Sequence, residues 1–296
     1  PKYRVHLAVA LRRMDCLDEA IDQLLQAREA APDSVEAKCE LGIAYRWRGE
    51  LEKAEPLLVD VLRVEPARGE ALVELAKLYE GQKKIGKTIE LCVRLLKENW
   101  SYAPAQLLLG MALLGRLAPE QRMKMTLPER AEVTGKAVSH LNEAARLTPS
   151  AETFGALGNG LMRAERHEEA FDALKQSLEL RPDFAPAHTD LGKAHLETGN
   201  VEEAKECFRK SIELDPNRTE PYYELSRFGR LDDTDHVVTR LGEFLKNDNR
   251  PIPERMLGRF AMARHLDSQG DHDAAFAEYL RANALKMELR ATGGTD

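Results

Sequence analysis

Leu191 to Pro216 reads LGKAHLETGNVEEAKECFRKSIELDP, and its punctuation decides the fold. Gly192, Ala204 and Pro216 fall twelve residues apart. Thirty-four residues earlier the same marks return as Gly158, Ala170 and Pro182. They recur as Gly42, Ala54 and Pro66, and at the start as Ala8, Ala20 and Pro32. Each mark has a physical reading. Leucine at position seven and a small residue at position eight let two helices approach closely. The pairs Leu7–Ala8, Leu41–Gly42, Leu75–Ala76, Leu109–Gly110, Leu157–Gly158 and Leu191–Gly192 fill these places. A small residue at position twenty lets the second helix cross tightly: Ala20, Ala54, Ala137, Ala170, Ala204 and Ala275, with the larger Thr88 in the third unit. Proline near position thirty-two ends the second helix, because its ring removes a donor and clashes with the preceding turn. Pro32, Pro66, Pro149, Pro182 and Pro216 do this, and Trp100 stands there in the third unit.

A helix–turn–helix period of this length with these marks resembles the tetratricopeptide repeat family over nearly the whole chain. The resemblance implies an all-α, right-handed superhelical solenoid of about eight repeats. Their frame is 1–34, 35–68, 69–102, 103–150, 151–184, 185–218, a degenerate 219–255 and 256–289, making a single array over 1–289 with a tail at 290–296. The fourth repeat is too long: an insertion at 117–131 separates its two helices, with Pro119 and Pro128 bracketing Glu120 to Met125. It reads as an extended turn or an extra helical turn at the edge, or else as a protruding contact element. The seventh repeat keeps Tyr223 and Leu225 but has Phe228-Gly229-Arg230 where its first helix should continue. A new helix is expected from about Leu231, with an Asp or Thr among Asp232, Asp233 and Thr234 as its cap.

Composition sets outer bounds. The chain has 296 residues, 43% of them hydrophobic and 31% charged, which is too much apolar material for a disordered chain. No apolar run is long enough to span a membrane; the stretch from Leu107 stops at Arg116. A net charge of −7 argues against general nucleic-acid binding. The charge is uneven: residues 1–150 carry 23 basic and 22 acidic side chains, and residues 151–296 carry 20 and 28. Cys16, Cys39, Cys92 and Cys207 are scattered and form no C-x-x-C pair, which fits reduced thiols and a cytoplasmic protein. Pro1 opens the sequence with neither Met nor an apolar leader, so a trimmed terminus is expected.

Catalytic and metal motifs are scarce. Gly81-Gln82-Lys83-Lys84-Ile85-Gly86-Lys87-Thr88 fits the phosphate-loop pattern literally, but it sits in a turn between two helices with no strand before it. His188 and His195 lie two turns apart on one helix, too far for one tetrahedral zinc, and at positions where the family places packing residues. His265 and His272 flank a turn. No nucleophile–base set or carboxylate pair stands out from the glutamate-rich surface. No catalytic residue, metal ligand or cofactor is expected.

In this family the first helices line a concave groove, with positions two, five, six, nine, twelve and thirteen facing in. Position nine reads Val9, Ile43, Lys77, Met111, Asn159, Lys193, Arg227 and Arg264. The C-terminal half thus carries Asn159 and then three cations in consecutive repeats, although that half is the acidic one. Thr189 and Tyr223 add hydrogen-bonding groups, and Arg163 and Arg230 add charge. Gly155 and Ala156 leave room beside Asn159. This row is expected to grip an acidic or C-terminal peptide segment, since arginine binds carboxylates through two parallel hydrogen bonds. In the N-terminal half, Leu108 and Met111 are expected to form an apolar patch for an amphipathic partner helix. The clamp by which chaperone-binding members hold a terminal carboxylate is absent in its usual form: Val5 and Val9 occupy its places in the first repeat, and Gly155 precedes Asn159 where lysine is needed.

The segment from Arg259 to Lys286 also resembles the last repeat of bacterial proteins that join such repeats to a sulfotransferase domain. That resemblance implies either the substrate-recruiting array of a larger enzyme or a stand-alone relative; no strand and phosphosulfate loop precede Asp296. The expected function is a protein–protein interaction scaffold. The alternatives are that enzyme-associated array and a self-assembling scaffold forming homo-oligomers through exposed repeat ends.

Overall fold

The computed structural model describes residues 2–117, 122–229, 231, 236–247 and 249–292. Among the described residues there are sixteen helices and no strand, so the all-α expectation holds. Helix contacts divide the chain into two compact units, Pro1–Pro149 and Ser150–Asp296. The first contains α1 (Lys2–Arg13), α2 (Leu17–Ala30), α3 (Val35–Trp47), α4 (Leu51–Val64), α5 (Gly69–Gly81), α6 (Ile85–Glu98), α7 (Ala103–Gly115) and α8 (Leu127–Leu147). The second contains α9 (Ala151–Arg163), α10 (His167–Leu180), α11 (Ala185–Glu197), α12 (Val201–Leu214), α13 (Glu220–Ser226), α14 (Val237–Phe244), α15 (Ile252–Ser268) and α16 (His272–Thr292). Within each unit a helix packs on its hairpin partner, and first helices pack on first helices: α1 on α3, α3 on α5, α5 on α7, and α9 on α11.

The small residues sit where helices cross. A Cβ added at Gly110 would lie 2.5 Å from Leu141, at Gly158 2.6 Å from Leu174, and at Gly192 2.6 Å from the Phe208 ring. The alanines at position twenty lie opposite and are buried, as is Thr88, whose hydroxyl donates to the Ala76 carbonyl at 3.4 Å and the Lys84 carbonyl at 3.3 Å. A second tie recurs at the junction between hairpins. A polar group at the fourth position of a repeat reaches the carbonyl that ends the preceding hairpin: Gln106 Nε2 to Trp100 O at 2.6 Å, His188 Nε2 to Pro182 O at 2.9 Å, and Tyr222 Oη to Pro216 O at 3.1 Å. Trp100 therefore presents the same carbonyl as the prolines it replaces.

Two irregular places depart from the simple hairpin. In the fourth repeat the second helix starts early, at Leu127, so residues 127–131 of the expected insertion are helical. Thr126 and Glu129 cap it reciprocally: the Thr126 amide donates to Glu129 Oε2 at 2.7 Å, and the Glu129 amide donates to Thr126 Oγ1 at 3.4 Å. Met123 and Leu127 are exposed. Pro119, Glu120 and Gln121 lie outside the described residues. In the seventh repeat the first helix stops at Ser226, and the next described helix begins at Val237, after His236 in a left-handed conformation with φ 55°. The expected cap residues, Asp232, Asp233 and Thr234, lie outside the described residues. A core of Phe208, Tyr222, Leu225, Leu231, Val237, Leu241 and Ala261 closes the gap. Leu231 is held in place by its amide donating to His265 Nδ1 at 3.2 Å.

Candidate functional site

The first helices of each unit carry inter-repeat charge pairs. In the first unit Arg12 donates to Glu40 at 3.1 Å, and Arg46 pairs with Glu74, both across 28 residues. Position twelve of one first helix thus reaches position six of the next. Lys77 joins Glu74 at 2.8 Å. Trp47, half exposed, meets both guanidinium groups, its ring centre 5.3 Å from Arg12 and 5.9 Å from Arg46. Burial pushes the Glu40 carboxyl up, against the opposing pull of Arg12. Cys39 and Cys92 are buried, which drives their thiols to about 12 and leaves them unreactive.

In the second unit the links run through three first helices. Arg163 Nε donates to Asn159 Oδ1 at 3.3 Å, and Asn159 Nδ2 donates to Asp190 Oδ1 at 3.2 Å. Lys193 bridges Asp190 at 3.3 Å and Glu220 at 2.5 Å. Burial pushes the Asp190 carboxyl up. At Lys193 burial opposes the charge, but the two carboxylates outweigh it and hold the ammonium above the usual lysine range. Arg227 pairs with Glu224 at 2.6 Å and stays half exposed. Arg264 stacks over the Tyr223 ring, 4.6 Å from its centre, and its Nη2 donates to Tyr223 Oη at 3.3 Å. Its Nη1 is buried and has no hydrogen-bond partner among the described residues.

These placements revise the sequence-based site. Asn159, Arg163 and Lys193 are brought together, and Tyr223 is joined to Arg264. Thr189 is fully buried: its hydroxyl meets Ser211 Oγ at 2.7 Å and the Ala185 carbonyl at 3.2 Å, so it serves the helix crossing and not the groove. Gly155 does not open space beside Asn159. A Cβ there would lie 3.1 Å from Phe184 and 3.4 Å from Ser177 Oγ, so Phe184 already fills the room. Leu108 is buried at 7% exposure, leaving Met111, at 41%, as the exposed member of the expected apolar pair. Leu108 and Met111 belong to the first unit and the cationic row to the second. Arg230 lies outside the described residues. His188 and His195 act as packing residues, His188 through its carbonyl tie and His195 edge-on to Phe171 at 4.9 Å. Among the described residues no group of three His, Cys, Asp or Glu side chains is placed to hold a metal. Among them too, no helix is long and apolar enough to cross a membrane.

Two family models, each described as a tetratricopeptide repeat, match residues 6–60 and 161–227. The chain is a tetratricopeptide repeat protein. Small glutamine-rich tetratricopeptide repeat-containing protein 2 of Mycosarcoma maydis is 30% identical to it over 84 residues, 28% of this chain and 24% of that protein. The chain thus spans about a quarter of that relative's length. A solved tetratricopeptide repeat protein of Thermus thermophilus superposes with a TM-score of 0.55 at 21% identity, covering 66% of this chain and 98% of that one. Pseudomonas aeruginosa pilF superposes with a TM-score of 0.61 at 13% identity, covering 76% and 96%. At these identities the two structures speak for the fold. Stacked hairpins of this family offer a pre-formed surface on which many modest contacts can add up.

Proposed function

We propose that the second unit binds an extended, acidic segment of a partner protein along its first helices, with the carboxylate seated between Arg227 and Arg264 beside Tyr223. The observation that carries this is Tyr223, whose hydroxyl accepts from Arg264 Nη2 at 3.3 Å and whose ring lies under the same guanidinium, one turn before the half-exposed Arg227. Arg227 supplies a second, solvent-facing cation, paired with Glu224 on its own helix turn. Lys193 has a different role. It neutralises two carboxylates of neighbouring helices, so its replacement by Glu would disrupt the scaffold and not just the site.

The test is fluorescence anisotropy with a labelled Glu-rich peptide bearing a free C-terminal carboxylate, and with the same peptide amidated. The Arg227→Glu and Arg264→Met variants should each weaken binding about tenfold, roughly 1.4 kcal/mol, with unchanged helicity by circular dichroism. A matching loss on amidation would place the terminal carboxylate at Arg264; no loss would place a side-chain carboxylate there. Affinity unaltered in both arginine variants would remove the proposal.

A further inference from the structure

The last helix, α16, is apolar on two sides. One side carries Ala275, Ala282 and Leu285, buried at 2%, 0% and 7% exposure and packed toward α15. The other carries Phe276, Leu280 and Met287, exposed at 63%, 55% and 71%. A helix apolar on opposite sides is built to lie between two neighbours. On the second side, Phe276, Leu280, Asn283 and Met287 follow one another at steps of four, three and four, the a/d alternation of a coiled coil. The next step outward reaches Asp273 at one end and Arg290 at the other, both exposed.

We propose that this stripe joins two copies of the chain as an antiparallel helix pair about a two-fold axis. The sequence of the stripe is complementary to itself when reversed. With the axis between residues 281 and 282, Phe276 of one copy faces Met287 of the other, Leu280 faces Asn283, and Asp273 faces Arg290. Each contact occurs twice, as a two-fold interface requires. A parallel pair would set Asp273 against Asp273 and Arg290 against Arg290, so the end charges select the antiparallel arrangement; opposed helix dipoles favour it too. Position twenty-eight holds an aliphatic residue in four repeats, where Leu62 and Leu96 are buried, Leu178 packs with Ala187, and Ile212 packs with Tyr222 and Leu225, and it holds Arg28 in the first. In α16 that place is Asn283, exposed. A polar residue on the seam of a helix pair is tolerated and fixes register. The inference does not rest on the groove reading, since it uses none of its residues.

A single helix pair buries less than about 1,200 Å², the range of weak, concentration-dependent association. Sedimentation equilibrium on the purified 296-residue chain is the test. The mass should rise from 33.3 kDa toward twice that value with concentration. Leu280→Glu should keep the chain monomeric with unchanged helicity. Asp273→Arg should weaken the dimer about tenfold, and adding Arg290→Asp should restore it, because the swap re-forms both end pairs. A dimer indifferent to Leu280→Glu, or a charge swap that fails to restore, would overturn the proposal. So would a constant 33.3 kDa mass. If, in that case, a Phe276→Trp variant emits in the blue, the face is covered by another part of this chain.

Discussion

Position fifteen of the hairpin turn is left-handed in six repeats: Asp15, Gly49, Lys83, Glu165, Gly199 and Gly270 have φ of 62°, 84°, 59°, 59°, 83° and 83°. The following amide bonds back across the turn each time, as Glu50 to the Tyr45 carbonyl at 2.9 Å and Arg166 to the Leu161 carbonyl at 3.0 Å. The turn therefore demands this backbone whichever residue stands there. Outside glycine the left-handed region costs about 1–2 kcal/mol. Glycine gives back roughly 0.5–1 kcal/mol through its freer unfolded chain. Glu165→Gly should accordingly stabilise the second unit by up to about 1 kcal/mol, read as a higher urea midpoint at unchanged slope. A lower midpoint would show that the Glu165 side chain contributes more than its backbone strain. At this scale the sequence was legible where a residue is unusual for its place: a glycine or alanine inside a helix has few reasons to be there except close packing. Charges are different. Glu40, Glu74 and Asp190 look like any solvated carboxylate, and only the register between neighbouring repeats reveals that each is half-buried against a cation from another hairpin or another turn.

Elements show the same division. The pair α7 and α8 is tied by Gln106, fully buried, whose Oε1 meets His140 Nδ1 at 2.6 Å while its amide holds the Trp100 carbonyl. The His140 ring also lies 5.7 Å from the Trp100 ring. Burial lowers the pKa of His140 below its usual value. The unfolded chain titrates there near 6.5, so below about pH 6.5 the unfolded state takes up a proton that the folded state resists. The stability held above that pH is lost as the pH falls toward the lowered folded value. Urea midpoints measured from about pH 7.5 down to about pH 5 should drop in the parent chain and drop less in His140→Gln, which keeps a hydrogen-bonding partner for Gln106. Parallel slopes would exclude His140 as the titrating group. The early start of α8 was readable in principle: Thr126-Leu127-Pro128-Glu129 has the spacing of a capping box, yet the 34-residue frame led to an insertion drawn between two helices. The broken seventh repeat was recognisable from Phe228-Gly229-Arg230, but its repair was not. Nothing local says that Leu231 will be buried against Tyr222 and Leu241.

For the molecule as a whole, the decisive property is that, among the described residues, the helices in extensive contact are near neighbours in sequence. Stability in such a stack is close to a sum of hairpin terms and nearest-neighbour terms, with no single core that every residue shares. A lesion should therefore act locally and fade with distance along the chain. Leu58 is a suitable probe: it is fully buried in α4 and fills the space opposite Gly42, where an added Cβ would lie 2.9 Å from it. Leu58→Ala should cost about 2–5 kcal/mol in its own hairpin through lost contacts and the cavity left behind. Hydrogen exchange read by mass spectrometry should show the largest loss of protection in α3 and α4, a smaller loss in α2 and α5, and no change from α9 onward. A uniform loss over every helix would mean that the chain unfolds as one cooperative body, and the nearest-neighbour description would fail. A graded loss has a functional corollary. Affinity in the second unit would survive damage to the first, because the Asn159–Asp190–Lys193–Glu220 links that set the spacing of its helices draw on no residue before Ser150.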